Sequence, residues 1–191
     1  MLAAERATLH FDGPAEFDAW LAEHQDSSPG IWMMFAKKGS TKTSVTHDEA
    51  LEVALAYGWI DGQVRRHNDD FFLQGFSGRR AQSPWSMRNR RTAEALIAAG
   101  TMQPRGMAEV ERARADGRWE RAYEGQRKAE MPADFLEALE QTPAAKEFYE
   151  SLNSHNRYAI FYRLQDAKRP QTRQRRIAKF VDMLARGEKF H

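Results

Sequence analysis

The stretch THDEALEVALAYG, residues 46–58, carries the strongest local signals in the chain. Thr46 is a preferred N-cap residue, and Glu49, three residues later, completes a capping box that satisfies two backbone N–H groups of the first helical turn. Gly58 suits a helix end because glycine adopts the left-handed conformation without strain. These residues predict a helix that begins after Thr46 and ends at Gly58, where the chain must change direction.

The residues after Gly58 predict a β-hairpin. Residues 59–66 and 71–76 are rich in strand-forming side chains, and the polar turn-formers HNDD separate them. The partner strand FFLQGF has apolar residues on both of its faces, so we expect the sheet to be covered on both sides. Upstream, IWMMFAKK predicts a further strand and PAEFDAWLAEH a helix.

From residue 83 onward the apolar period is helical throughout. We therefore predict an α+β fold, in which a small antiparallel sheet with N-terminal helices is followed by an all-helical C-terminal half packed on it. Residues 1–82 would form the α+β half and residues 83–191 the helical half. With no flexible linker evident between them, the two halves are expected to share one compact domain.

Composition excludes several classes of protein. The chain has no cysteine, which removes disulfides, thiolate metal sites and cysteine nucleophiles. No apolar run approaches the roughly 18 residues of a membrane span. The N-terminal MLAAERATLHF is too short and too charged for a secretory signal peptide. A cytoplasmic location is therefore expected.

Charge is distributed unevenly along the sequence. Residues 1–62 carry 4 basic and 10 acidic side chains, whereas residues 79–128 carry 12 and 6, and residues 163–189 carry 9 and 3. Basic segments of this kind could attract phosphates or acidic partners, but solvated helix faces are the favoured explanation. They lack interleaved aromatic side chains and a helix-turn-helix pattern, so specific nucleic-acid binding is not predicted.

Motif searches assign no catalytic residue, metal or cofactor. His67, Asp69 and Asp70 are better explained as turn residues than as metal ligands, because no spaced histidine–carboxylate pair accompanies them. Ser83 and Ser86 stand where a helix N-cap belongs, and no nucleophile elbow surrounds either. No glycine-rich phosphate-binding loop is present.

One cluster of residues nevertheless has the chemistry of a binding site for a small polar ligand. The cluster falls where the predicted strands are followed by the predicted helices. It combines aromatic walls, an acid, an arginine and two neutral hydrogen-bonding groups: Trp59, Asp61, Arg79, Trp85, Ser86 and Asn89. The alternative is a buried polar network that locks the two halves together. We expect Asp61 to be mostly buried, bonded to the 79–89 segment, and beside Trp59 in a concave pocket. The alternative for Asp61 is that it shapes an Asp-Gly turn, with its carboxylate bonded to a nearby backbone amide.

Arg173 is a further candidate. It lies four residues before Ile177 and seven before Phe180, so it shares the apolar stripe of the last predicted helix. An arginine that points inward either pairs with a buried carboxylate or binds an anion.

Four stretches resemble a known family: ALAYGWIDG, GRRAQSPWSMRNR, LIAAGTMQPRGMAEVERARADGRWERAYE and RLQDAKRPQTRQRRIAKFVDMLARGE. They are similar to the bacteriocin-protection family, also called YdeI/OmpD-associated, from Phe17 to near the C-terminus. Where that family usually has a Phe-Thr-Pro-Arg-like segment, this chain has residues 76–79, FSGR. Where the family often has Cys-Phe-Gly, residues 56–58 are AYG, so no role can rest on a cysteine.

The resemblance implies a non-enzymatic binding or stress-protection protein that acts from the cytoplasm, with links to antimicrobial-peptide resistance and an outer-membrane porin. It assigns no reaction and no cofactor. The alternative from the residues is an enzyme acting on a small anionic or nucleotide-like metabolite. In that case Asp61 would serve as acid or base, and Arg79 or Arg173 would clamp the anion. Both hypotheses include a small anionic ligand as a partner.

Overall fold

The structure is a computed structural model that describes residues 6–125, 129–167 and 169–191. It divides into two compact units, Met1–Ala122 and Tyr123–His191. The division therefore falls after Ala122 and not after residue 82, because the two helices that follow the sheet pack with the first unit.

The first unit is α+β, as predicted. Its elements in chain order are β1 (Ala7–Leu9), α1 (Pro14–His24), β2 (Ile31–Ala36), α2 (His47–Ala56), β3 (Trp59–Arg66), β4 (Phe71–Gly78), α3 (Met87–Ala99) and α4 (Pro104–Ala115).

The four strands form one sheet in the order β1-β2-β4-β3. The hairpin of β3 and β4 and the pairing of β2 with β4 are antiparallel, but β1 lies parallel to β2. The predicted antiparallel sheet is therefore found for β2, β4 and β3, and β1 adds a parallel pairing that was not predicted. Three residues are too few to show a strand period, and the parallel pairing arises only because α1 carries the chain back between β1 and β2.

The predicted helix after Thr46 is confirmed. The backbone N–H of Glu49 donates to Thr46 Oγ1 at 3.3 Å, and the Thr46 N–H donates to the Glu49 carboxylate at 2.9 Å, which completes the capping box. Gly58 has a φ of +67° and turns the chain from α2 into β3. Its carbonyl oxygen accepts the Arg79 N–H at 2.9 Å, which ties this turn to the end of β4.

Only one face of the sheet carries the core of the first unit. Ile31, Met33 and Phe35 of β2 point into that core and are buried. On the opposite face Trp32 is partly exposed and Arg65 of β3 is exposed. The expectation that both faces are covered is therefore wrong. On the face opposite the core, glycine and long polar side chains cover the sheet only in part.

The core side is closed by a close crossing of α2 and α4. The N–H of Gln103, which precedes α4, donates to the Ala56 carbonyl oxygen at the end of α2 at 3.1 Å. One turn into α4, Gly106 lies directly against that same carbonyl, with no room for a β-carbon. The contact brings the buried Val110 and Ala113 of α4 into the core.

The second unit is helical over its described residues. Its helices are α5 (Ala133–Glu140), α6 (Pro143–Ser151), α7 (Ser154–Gln165) and α8 (Pro170–Ala185). Phe180 and Leu184, from the predicted apolar stripe of α8, are buried beside Phe135 of α5 and Ile160 of α7. Across the described part of both units, no helix has the length and apolar character that a membrane crossing requires.

The glycine at the helix crossing yields a test of this packing. Gly106→Ala is expected to lower the free energy of unfolding by about 1–3 kcal/mol, because the new methyl group meets the Ala56 backbone carbonyl, which cannot move aside as the neighbouring Met102 side chain can. Gly125→Ala is the control, since a β-carbon there meets nothing within 4 Å. Denaturant unfolding measures both variants, and equal stabilities would show that the two helices do not approach so closely.

Candidate functional site

The structure places Trp59 in the core of the first unit. Its side chain is fully buried, and the indole Nε1–H donates to the Gln25 carbonyl oxygen at 3.2 Å. Its ring meets Trp20 edge-on, with the centroids 5.8 Å apart. Trp59 is therefore a core residue whose indole N–H has a hydrogen-bond partner.

Arg79 and Trp85 are brought together as the sequence predicted. The Arg79 guanidinium lies 3.8 Å from the centroid of the Trp85 ring, and its Nη2 donates to the Pro84 carbonyl oxygen at 2.7 Å. Both side chains are buried, and Trp85 also packs edge-on against Trp119. A buried network therefore describes this part of the cluster better than an open ligand site.

Ser86 and Asn89 form a helix cap. Ser86 is the N-cap of α3, and its Oγ accepts the backbone N–H of Asn89 at 3.1 Å. The hydroxyl is thereby used in the way that an N-cap serine usually is.

Asp61 bonds to residues of α2 and β4, which lie outside the predicted 79–89 segment. Its carboxylate oxygen Oδ2 is 3.2 Å from Nε2 of His47 and accepts a hydrogen bond from the Gln74 side-chain amide at 3.3 Å. The register pairs Asp61 with Phe76 of β4, whose side chain is in the core, and a bulge follows before Val64. Asp61 therefore faces the first turn of α2, and its side chain remains 27% exposed.

His47 and Asp61 form a partly buried pair, which is an ion pair when the histidine is protonated. The hydrogen bond to Asp61 raises the pKa of His47, with a smaller contribution from Asp48, while burial and the nearby Arg88 oppose the rise. Asp48 is itself paired with Arg88 at 2.6 Å, which lowers the pKa of that carboxyl. No sequence pattern singles out His47, because a histidine at the first position of a helix belongs to no motif.

Arg173 lies in the second unit and has the carboxylate partner that its helix position predicted. Its Nε and Nη2 donate to the two oxygens of Asp134 at 2.6 and 2.7 Å, and its Nη1 donates to the Leu164 carbonyl oxygen at 3.2 Å. The side chain is 27% exposed, so the expected deep burial is found only in part. This pairing engages the guanidinium with a carboxylate of the chain itself.

The geometry gives no support to an enzyme built on Asp61 and an arginine clamp. Asp61 is bonded to His47 and Gln74, Arg79 is stacked on Trp85, and Arg173 is held by Asp134. Among residues 6–125, 129–167 and 169–191, no group of three histidine or carboxylate side chains is placed to hold a metal ion.

A groove that the sequence did not predict lies on the open face of the sheet. It has a volume of about 660 Å³ and is lined by Arg6, Trp32, Ile60, Gly62, Gln63, Arg65, Ser77, Gly78, Arg80 and Ser83. We call it the sheet groove. Of the lining side chains that the structure describes, three are arginines and none is a carboxylate, so the described lining carries a net positive charge.

Trp32 is the aromatic residue of the sheet groove. The Arg65 guanidinium carbon lies 3.9 Å from its ring centroid and that of Arg6 lies 5.9 Å away. Gly75, which pairs with Trp32 across β2 and β4, makes this packing possible, since a β-carbon there would come within 3.3 Å of the indole and 3.2 Å of Arg6. The indole therefore lies on bare sheet backbone.

The edge of the sheet groove beyond β4 is a turn held by its own hydrogen bonds. Ser83 Oγ accepts the Arg80 N–H at 3.1 Å, and the Ser83 N–H donates to the Arg80 carbonyl oxygen at 2.9 Å. Arg118 donates to the Ser83 carbonyl oxygen at 2.7 Å. The Arg80 side chain is exposed at this ordered edge.

A pattern in the sequence could have indicated the sheet groove. The alternation in IWMMFA places Trp32 on the face opposite Ile31 and Met33, which is an unusual position for a tryptophan on a strand with a buried face. Arg6, Arg65 and Arg80 come together in the sheet groove because of the β1–β2 pairing and the bulge in β3, and neither of these features has a local signal in the sequence.

The second unit has a smaller cleft of about 290 Å³. Its lining combines aromatic and basic side chains with one acid: Tyr162, Arg163, Asp166, Arg176, Lys179, Phe180 and Phe190. Arg176 is paired with Asp166, and Arg163 lies over the Phe190 ring at 4.1 Å. Much of its charge is thus already engaged within the cleft.

Two family models match separate parts of the chain, much as the structure divides into two units. Residues 9–109 match the family described as a domain of unknown function, DUF8412, and the chain belongs to that family. Every lining residue of the sheet groove except Arg6 lies in this match. No curated protein and no solved structure matches the chain significantly.

Residues 128–187 match the family described as Bacteriocin-protection, YdeI or OmpD-Associated. The resemblance expected from Phe17 to near the C-terminus is therefore found over these residues only. Of the four stretches that suggested it, only RLQDAKRPQTRQRRIAKFVDMLARGE falls in the matched region. The other three precede it.

The raised pKa of His47 predicts a pH-dependent contribution to stability. A group whose pKa is raised by folding stabilises the protein fully below its unfolded pKa, and this contribution is lost as pH rises through the folded pKa. Asp61→Asn keeps an acceptor for Gln74 but removes the charge. We expect it to lower the free energy of unfolding by about 1 kcal/mol near pH 5.5 and by less near pH 8.5.

His47→Gln supplies the control, measured with and without Asp61→Asn in the same urea titrations. In that background the effect of Asp61→Asn should be the same at both pH values, because no titrating partner remains. A pH dependence that persists without His47 would assign the effect to another group.

Proposed function

We propose that this chain is a non-enzymatic binding protein whose sheet groove takes a small anionic ligand. The observation that carries the proposal is the set of three arginines that line the sheet groove, two of which lie over Trp32. Arg6, Arg65 and Arg80 line one groove, no carboxylate lines it with them, and within the described residues none of the three has an ion-pair partner.

What sets these arginines apart is that they line one site together. Elsewhere in the described ranges some arginines are paired with carboxylates, as in Arg88, Arg90, Arg112, Arg118, Arg173 and Arg176, whereas others, such as Arg66 and Arg114, are not. A guanidinium stays charged at any physiological pH, and three of them in one concave site repel one another. A bound anion removes that repulsion and meets the planar donors with paired oxygens.

The rest of the groove suits a ligand as well as an ion. Ser77, Ser83 and Gln63 offer neutral hydrogen-bonding groups, while Ile60 and Trp32 offer apolar surface. Binding sites for small molecules combine apolar walls with a few polar groups in this way.

The family match over residues 128–187 supports a place for this binding in stress protection. On this proposal the protein acts in the cytoplasm, and ligand binding contributes to tolerance of bacteriocins or antimicrobial peptides. A stress assay on a strain that lacks the gene, complemented by the parent chain or by a groove variant, tests this biological part separately from the binding.

Ligand binding itself is tested by thermal unfolding with inorganic phosphate, pyrophosphate or citrate at constant ionic strength. At a ligand concentration of ten times Kd, binding adds about 1.4 kcal/mol to the free energy of unfolding, which raises Tm by a few degrees. At least one of these anions should raise Tm above the value in sodium chloride.

Two neighbouring arginines provide matched variants. Arg65→Gln removes a groove charge, whereas Arg66→Gln removes an exposed charge one residue later that does not line the groove. The rise in Tm should be reduced by Arg65→Gln and retained by Arg66→Gln. If no anion raises Tm above the chloride control, or if both variants respond alike, the sheet groove is not an anion site.

A further inference from the structure

We infer that the anion taken by the sheet groove carries a flat aromatic ring, so that the ligand is a phosphate ester of the nucleoside monophosphate type. This inference rests on the proposed function and specifies the ligand of the same groove. It stands on the volume of the groove, on the stacked pair of Trp32 and Arg65, and on the distance between that pair and the turn at Arg80.

The volume of the sheet groove exceeds what a simple anion requires. Its 660 Å³ lie within the range of about 300–1,000 Å³ that is typical of small-molecule sites. Inorganic phosphate would fill only a small part of this space and would leave Ile60 and Trp32 without contact. The ligand therefore has an organic body as well as a charge.

The stacked pair of Trp32 and Arg65 favours a planar body. The Arg65 guanidinium carbon lies 3.9 Å from the Trp32 ring centroid, a separation at which a guanidinium stacks on an aromatic ring, and the Arg65 side chain is exposed, so a ligand can reach it. Bases stack readily on aromatic rings and on arginine planes. A ring laid on Arg65 would extend the existing stack, while the guanidinium edge keeps its donors for an anion.

The pairing register separates this platform from the turn. Trp32 lies beside Gly75, whereas Ile60 lies beside Ser77 and Trp59 beside Gly78, next to the turn of Arg80 and Ser83. Two residues of strand span about 7 Å. A phosphate held by Arg80 and the Ser77 and Ser83 hydroxyls would thus stand apart from a ring on Arg65, at a distance that a sugar can bridge.

Gln63 stands beside the platform and could contact the ring edge. Its carbonyl oxygen lies near Gly75, 3.6 Å from the position of an added β-carbon, which places this residue close to the Trp32 end of the groove. A side-chain amide offers one acceptor and two donors, the combination that hydrogen-bonds the edge of a base.

Calorimetric titration of the full chain with adenosine 5′-monophosphate, inorganic phosphate and adenosine tests the inference. We expect the monophosphate to bind at least about tenfold more tightly than inorganic phosphate, which is the scale of one stacked base. Adenosine should bind more weakly than the monophosphate because it lacks the anion. A single-stranded oligonucleotide is the fourth titrant.

Two variants separate stacking from charge. Arg65→Lys keeps the charge but removes the plane, so it should lose most of the preference for the monophosphate and retain the affinity for phosphate. Trp32→Leu should do the same, and Arg66→Lys is the matched control that should retain the preference. Tm values of all variants establish that each is folded.

The outcomes distinguish this inference from the proposed function. Equal affinity for the monophosphate and phosphate overturns the ring while leaving an anion site. Binding of neither overturns both. An oligonucleotide that binds more tightly than the monophosphate overturns the small-ligand class in favour of single-stranded nucleic acid.

Discussion

The carbonyl oxygen of Ala56, at the end of α2, lies against Gly106 of α4 with no side chain between them. The same carbonyl accepts the N–H of Gln103, and two residues later Gly58 turns the chain into β3 and bonds Arg79 at the end of β4. One short junction thus fixes two helices and two strands relative to one another. Because α2 and α4 are held on the core side, the opposite face of the sheet retains a groove.

The parts of this arrangement that have local causes could be predicted from the sequence. The capping box at Thr46, the turn at Gly58, the hairpin and the N-cap at Ser86 each depend on residues a few positions apart, and all four are found. The three-residue β1 has no period to detect, and its parallel pairing arises from the whole β1–α1–β2 segment. The bonds of Asp61 to His47 and Gln74 have no local signal for a related reason, since they depend on the register that pairs Asp61 with Phe76.

The candidate site could be predicted only as a chemical type. Aromatic, arginine and neutral polar side chains at the junction of sheet and helices were expected, but Arg79 and Trp85 are stacked in the core and Ser86 caps a helix. The same chemistry recurs a short distance away in Trp32, Arg65 and Ser83, on the open face. Which arginines meet a carboxylate is decided by tertiary packing, and a sequence cannot separate Arg173, which pairs with Asp134, from Arg80.

The most direct measurement of ligand binding at the sheet groove is a two-dimensional ¹⁵N–¹H spectrum of the five tryptophan indole groups, recorded during titration with adenosine 5′-monophosphate. Trp59, Trp85 and Trp119 are buried, Trp20 packs in the core side, and Trp32 lies in the groove. The Trp32 signal, identified by its loss in Trp32→Leu, is predicted to shift and saturate while the three buried indoles remain unchanged. The account would be contradicted if the Trp32 signal stayed in place while the ligand binds, or if the ligand did not bind at all.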